Sequence, residues 1–133
     1  MRRVTVLPAV IALVLLNAGP AHADDPEAYV ATIRTAQGKN RADLTDPDSI
    51  AKAQAELEGG AEAGVPIGEL APGDGGVNKG HDWHVVDLEV ADFTMELCDG
   101  TARMVDRDTT YWVDTVGFFC PWSGEVVKLK PLR

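Results

Sequence analysis

His81, Asp82, His84, Asp87 and Asp92 lie close together in the middle of the chain, and Cys98 and Cys120 are its only cysteines. An imidazole within hydrogen-bond reach of a carboxylate is the simplest acid–base pair, so His81 or His84 with Asp82, Asp87 or Asp92 has the chemistry of a small hydrolase. Neither a Gly-x-Ser-x-Gly nor a His-Glu-x-x-His pattern accompanies them, so no residue is assigned a catalytic role. A catalytic thiol would need a partner histidine, and nothing in the spacing directs His81 or His84 toward either cysteine. A zinc site built from Cys98, Cys120, His81 and His84 lacks the short-range ligand pairs typical of structural zinc. Asp74 stands among glycines in the manner of a calcium loop, but the alternating acids and closing glutamate are missing. The sequence therefore implies no metal and no cofactor.

The compartment bears on the cysteines. Arg2 and Arg3 precede an apolar run, Val4 to Leu16, and Ala21-His22-Ala23 supplies small residues where a signal peptidase reads. That order is a secretory signal peptide, residues 1–23, cleaved after Ala23. The run is shorter than the roughly 20 apolar residues a spanning helix needs. Outside the cell an even cysteine count favours pairing, so a Cys98–Cys120 disulfide is expected over a free thiol or a metal site. Cys120 precedes Pro121, which pushes it toward extended backbone. Trp122 would then share its face, an indole beside a disulfide in the core.

Residues 24–133 are enough for one small domain. Loss of Arg2 and Arg3 leaves 10 basic residues against 21 acidic ones, a net charge of −11. Such a balance opposes nucleic-acid binding and adhesion to anionic membranes. It suits a soluble, secreted protein.

The elements that must position these residues follow from periodicity. Tyr29 to Thr35 alternates as a first strand, Gln37 to Asn40 reads as a turn, and Arg41 to Leu44 as a short returning strand. Thr45 or Asp46 can cap a helix with Pro47 in its first turn, running to Glu58 and stopped by Gly59-Gly60. Leu44, Ile50, Ala53 and Leu57 should face the core. Val65 to Leu70 reads as an extended piece, with Pro66 marking an edge. Ala71 to Asp82 is a long glycine-rich loop, and such loops are flexible or functional. Strands are expected over Trp83–Val86 and over Val90–Cys98, where Phe93, Met95 and Leu97 alternate with polar residues. A short helix is expected over Thr101–Arg107, and an irregular or helical aromatic segment through Tyr111, Trp112, Val116 and Phe119. Glu125–Lys130 should form the last strand, with Pro131 blocking further pairing. Short connections rule out repeated parallel crossovers. The fold class is α+β: a small antiparallel sheet packed with one main and one short helix, held by one disulfide.

"ADLTDPDSIAKAQAELEGG", Asn78, Trp83, "FTMELCDGTARMVDRD" and "YWVDTVGFFCPWSGEVVKL" together resemble the N-terminal domain of a slime-mould calmodulin-binding protein, a domain found also in small secreted actinobacterial proteins. The resemblance runs from Arg34 to Leu129. Glu96-Leu97-Cys98-Asp99-Gly100 with Phe119-Cys120-Pro121-Trp122 is its most specific part. It implies a shared scaffold and carries over no catalytic residue. It implies calmodulin as a partner by name alone, whereas calmodulin grips basic amphipathic helices and the helix at Pro47–Glu58 holds one lysine against Asp48, Glu56 and Glu58.

The expected function is a secreted, non-enzymatic binding module for an unknown protein or small ligand. Its candidate surface is the loop Ala71–Asp82 with Asn78, Trp83 and His84, and aromatic residues around Tyr111, Trp112 and Phe118. Those aromatics are read first as core, since large side chains dominate small interiors. The alternatives are the small hydrolase above and inhibition of an extracellular protease by a stapled loop.

Overall fold

A computed structural model describes residues 28–60 and 64–132. The expected signal peptide, residues 1–23, lies outside the described residues. The class is α+β with antiparallel pairing throughout, and the strands divide into two three-stranded sheets.

The first sheet has the order β2-β1-β6, from β1 (Tyr29–Arg34), β2 (Lys39–Leu44) and β6 (Glu125–Pro131). Alternation decides its faces. Ala31 and Ile33 of β1, Ala42 and Leu44 of β2, and Val126 of β6 enter the core. Val30, Thr32, Arg41, Asp43, Lys128 and Lys130 take the opposite, outward positions. β2 begins at Lys39, two residues before the expected start, because the turn is tight. Thr35 N–H donates to Gly38 O at 3.0 Å, with Gly38 at φ 87°. Pro131 does not end the pairing. It stands opposite Tyr29, and Leu132 N–H donates to Ala28 O at 3.1 Å.

The second sheet has the order β4-β3-β5, from β3 (Val65–Pro72), β4 (Trp83–Ala91) and β5 (Phe118–Phe119). β3 is its middle strand, yet β5 reaches only Gly68 and Glu69, so Pro66 has a neighbour on one side alone, Val90. The missing donor of Pro66 thus faces away from the ladder, as edge proline requires. β4 is continuous where two separate strands were expected. A register shift between Ile67 and Glu69, with Asp87 at φ 52°, absorbs the irregularity that had suggested a break.

α1 (Pro47–Leu57) starts as its local chemistry dictates. Asp46 Oδ2 accepts the Ser49 N–H at 2.9 Å, and Pro47 occupies the first turn. The helix packs through its early turns: Ser49 and Ala53 are buried and Ile50 half-buried, while Leu57, expected in the core, is 44% exposed in the last turn. Ser49 Oγ accepts the Val90 N–H at 2.9 Å, and Lys52 Nζ donates to Val90 O at 3.2 Å and to Asp92 Oδ1 at 3.1 Å. Both backbone groups of Val90 are therefore taken by the helix.

That capture accounts for the largest departure from expectation. Val90–Cys98 alternates like a strand, but β3 ends opposite Ala91, and no described strand extends beyond it to receive the chain. The segment turns away after Ala91 and closes in a 3₁₀ turn, Glu96–Cys98. Phe93, Met95 and Leu97 are left 86%, 57% and 84% exposed. α2 (Ala102–Arg107) is capped by Thr101, whose Oγ1 accepts the Met104 N–H. A further turn, Thr109–Tyr111, widens into a π-helical turn over Trp112–Val116, closed by Gly117 N–H donating to Trp112 O at 2.7 Å.

One core cluster receives both sheets, α1 and α2. At its centre Phe119 meets Trp83 and Trp112 edge-on, with ring centroids 5.5 Å and 6.0 Å apart. Edge-to-face pairs of this kind contribute about 0.5–1.5 kcal/mol beyond area burial. The reading of aromatics as core holds for these three and fails for Tyr111, Phe118 and Trp122, each more than two-fifths exposed. Cys98 and Cys120 are bonded, with Cα atoms 5.1 Å apart, and both are buried. Trp122 lies outside the core, its Nε1 donating to Met95 O at 3.2 Å.

Candidate functional site

The glycine-rich loop is shorter than expected, because β3 continues through Pro72, and it is closely tied. Gly73 N–H donates to Asp82 O at 2.7 Å across its neck. Asp74 Oδ1 accepts the Gly76 N–H at 2.8 Å, and Asp74 O accepts from Val77 and Asn78. The Asp74 carboxylate is thus engaged in shaping the turn, and the described residues include no group of three or more His, Cys, Asp or Glu placed to hold a metal ion.

The residues expected to form a binding surface are mostly internal supports of this loop. Asn78 is 1% exposed: its Oδ1 accepts the Arg41 N–H at 3.0 Å and its Nδ2 donates to Trp83 O at 2.8 Å. Trp83 is fully buried, and its Nε1 donates to Asp106 Oδ1 at 2.7 Å. A surface with Asn78 and Trp83 as contact residues is therefore corrected. Their polar atoms are satisfied inside, and burial of that kind is what polar groups require. His84 is half-buried, with Nδ1 donating to Gly73 O at 2.7 Å. Its ring lies against Gly75: a Cβ there, at φ 63°, would come within 2.5 Å of His84 Cδ2.

The histidines do not pair with the expected carboxylates. His81 Nδ1 meets Asp106 Oδ1 at 2.6 Å, the same oxygen that receives the Trp83 indole. None of Asp82, Asp87 or Asp92 makes a side-chain hydrogen bond to a histidine among the described residues. Asp92 goes to Lys52.

What the loop does form is one wall of a cleft. Gly75, Gly76 and Val77 stand over the outer face of the first sheet and enclose about 410 Å³. The floor is set by cross-strand register. One row runs Arg41–Thr32–Lys128 and the next Asp43–Val30–Lys130, with Leu132 at the end. Lys39 and Arg34 form a third row, in which Arg34 pairs with Glu125. Five of the ten basic residues in 24–133 therefore lie on one sheet face, in a region whose net charge is −11. Among the described residues, Arg41, Lys128 and Lys130 form no ion pair. Sequence reasoning flagged the loop and missed this face. The available signal was the alternation Lys39-x-Arg41 and Lys128-x-Lys130, which puts each pair of cations on one side of its strand.

A second hollow of about 250 Å³ lies on the other flank of the loop, sharing Asp43, Gly75 and Val77 and bordered by His84 and Asp87. Among the described residues no helix is long and apolar enough to cross a membrane.

A stapled α+β scaffold with a basic cleft under a braced loop defines the class. The family model for the N-terminal domain of the slime-mould calmodulin-binding protein matches residues 26–133, and the chain belongs to that family. No curated protein and no solved structure matches the chain.

Proposed function

We propose that the protein is an exported, non-enzymatic binding module of this N-terminal-domain family, and that its ligand surface is the cleft beneath the loop at residues 73–82. The cleft is the observation that carries this reading. A volume of about 410 Å³ falls in the range of small-molecule sites, which are concave and bring a few polar groups together. Its lining holds cations, one threonine and one carboxylate, Asp43, and neither a nucleophile–base pair nor a histidine. The imidazoles outside it are engaged in bracing the loop and in the contact with Asp106. Export is supported by the leader at residues 1–23 and is consistent with the disulfide.

The full-length chain expressed in a secreting host tests both parts. The protein recovered from the medium should begin at Asp24, carry two fewer hydrogens than its dithiol mass, and leave peptide, ester and glycan substrates unturned. Turnover that disappears on His81→Ala or His84→Ala would replace the binding reading with the hydrolase.

A further inference from the structure

The composition of the cleft points to the chemistry of its occupant, and this step rests on the binding reading above. We propose that the cleft takes a small ligand bearing one oxyanion group on a hydroxylated, non-aromatic body, the chemistry of an acidic or phosphorylated sugar.

The cations are local and the rest of the protein is acidic. Diffuse attraction from a surface of net −11 would repel an anion, so retention must come from groups at the site itself. Arg41 and Lys128 flank Thr32 from the two neighbouring strands. With strands ~4.8 Å apart, their backbones stand about 10 Å from each other, a span that two long side chains can close over one oxyanion. The guanidinium offers paired donors, the ammonium a point charge, and the Thr32 hydroxyl a further donor between them. The N–H and O–H groups donate, and the ligand's oxygens accept.

The second row limits the ligand to one such group. Asp43 stands opposite Val30 with Lys130 on the other side, so a second anion would meet a carboxylate. A hydroxyl placed there can donate to Asp43. The remaining lining is aliphatic, from Val30, Val77 and Leu132, with no ring on which a base could stack. That composition disfavours nucleotides and suits a compact aliphatic or sugar body.

Backbone amide shifts of the isotopically labelled, mature protein provide the test, with glucuronate, glucose 6-phosphate, inorganic phosphate and glucose as probes. Both oxyanion sugars should shift Thr32, Arg41, Gly75, Gly76 and Lys128. Arg41→Gln and Lys128→Gln should each weaken binding by about tenfold. Asp43→Asn should strengthen it, a direction that general loss of structure does not produce. Arg107→Gln removes a positive charge from α2, away from the cleft, and should change nothing. The tighter of the two sugars identifies carboxylate or phosphoryl as the source of the anion.

Equal binding of glucose, indifferent to Arg41→Gln, would overturn the anion assignment while leaving the cleft as a binding site. No shift at the cleft with any probe at millimolar concentration, or equal weakening by Arg107→Gln, would also overturn it. Turnover of a probe would instead overturn the binding reading itself.

Discussion

Asn78 joins two elements that are far apart in sequence: its Oδ1 accepts the backbone N–H of Arg41 on β2 at 3.0 Å. Its Nδ2 simultaneously holds the carbonyl of Trp83, the first residue of β4. One buried side chain thus fixes the height of the glycine-rich loop over the sheet face that Arg41 itself lines.

Replacing Asn78 with alanine leaves a donor and an acceptor without their partners. Each unsatisfied buried group costs about 1–3 kcal/mol. Asn78→Ala should therefore lower unfolding free energy by about 2–4 kcal/mol, read by guanidinium denaturation. Asn78→Asp keeps the acceptor for Arg41 and loses the donor for Trp83, so it should fall between parent and alanine. An alanine variant as stable as the parent would mean that the loop is held by other contacts.

The bond between Cys98 and Cys120 closes a loop that contains α2, the π-turn and β5. Beside the sulfurs, Cys120 N–H donates to Cys98 O at 2.8 Å, so the two backbones are in register as well. Loss of the link frees the unfolded chain and should cost about 3 kcal/mol. The Cys98→Ser, Cys120→Ser double variant should show a denaturation midpoint lower by the corresponding amount, and reduction of the parent should reproduce it. An unchanged midpoint in both would show that the native contacts alone set stability here.

The parts legible in the sequence are those whose cause is local. Asp46, Pro47 and the Gly59-Gly60 pair define α1 through capping, which needs no distant partner. The disulfide followed from two cysteines and a leader. Strand pairing is different, because alternation describes what a strand offers and says nothing of whether a neighbour exists. Val90–Cys98 has the pattern, and Ser49 and Lys52 claim the backbone of Val90 while β3 ends opposite Ala91. The cleft was illegible for a related reason. Arg41 and Lys128 converge only because β1 lies between them, and Asn78 and Trp83 look like surface residues until their hydrogen bonds are traced inward. The loop could be singled out from composition; the face it covers could not.

The fate of the Phe93–Leu97 segment is measurable. Had it been a half-buried strand, polar substitution of Phe93 or Leu97 would remove core packing at a cost of about 2–5 kcal/mol. Exposed as they are, Phe93→Ser and Leu97→Ser should each change stability by no more than about 0.5 kcal/mol. Denaturation midpoints of the two single variants check this, and a loss of more than about 2 kcal/mol in either would place that residue in the core.

Glu56 on α1 carries a carboxyl whose pKa lies above the usual glutamate value. Desolvation is the main cause, the nearby Glu125 charge adds to it, and the Val126 backbone opposes it. Its Oε2 is enclosed with no hydrogen-bond partner among the described residues. With the folded pKa above the unfolded one, the folded state holds this proton more tightly. The stabilisation is complete below the unfolded value, about 4.3, and is lost as pH rises through the higher folded value. At neutral pH the parent therefore keeps a charged, poorly solvated carboxylate that Glu56→Gln removes. The glutamine variant should melt at a higher temperature than the parent at pH 7, and the gap should shrink as pH falls toward 4, where the parent regains its proton. Melting curves across pH 4–8 distinguish this from a packing effect, because a gap that stayed constant with pH, or reversed its sign at pH 7, would show that ionisation of Glu56 is not the source.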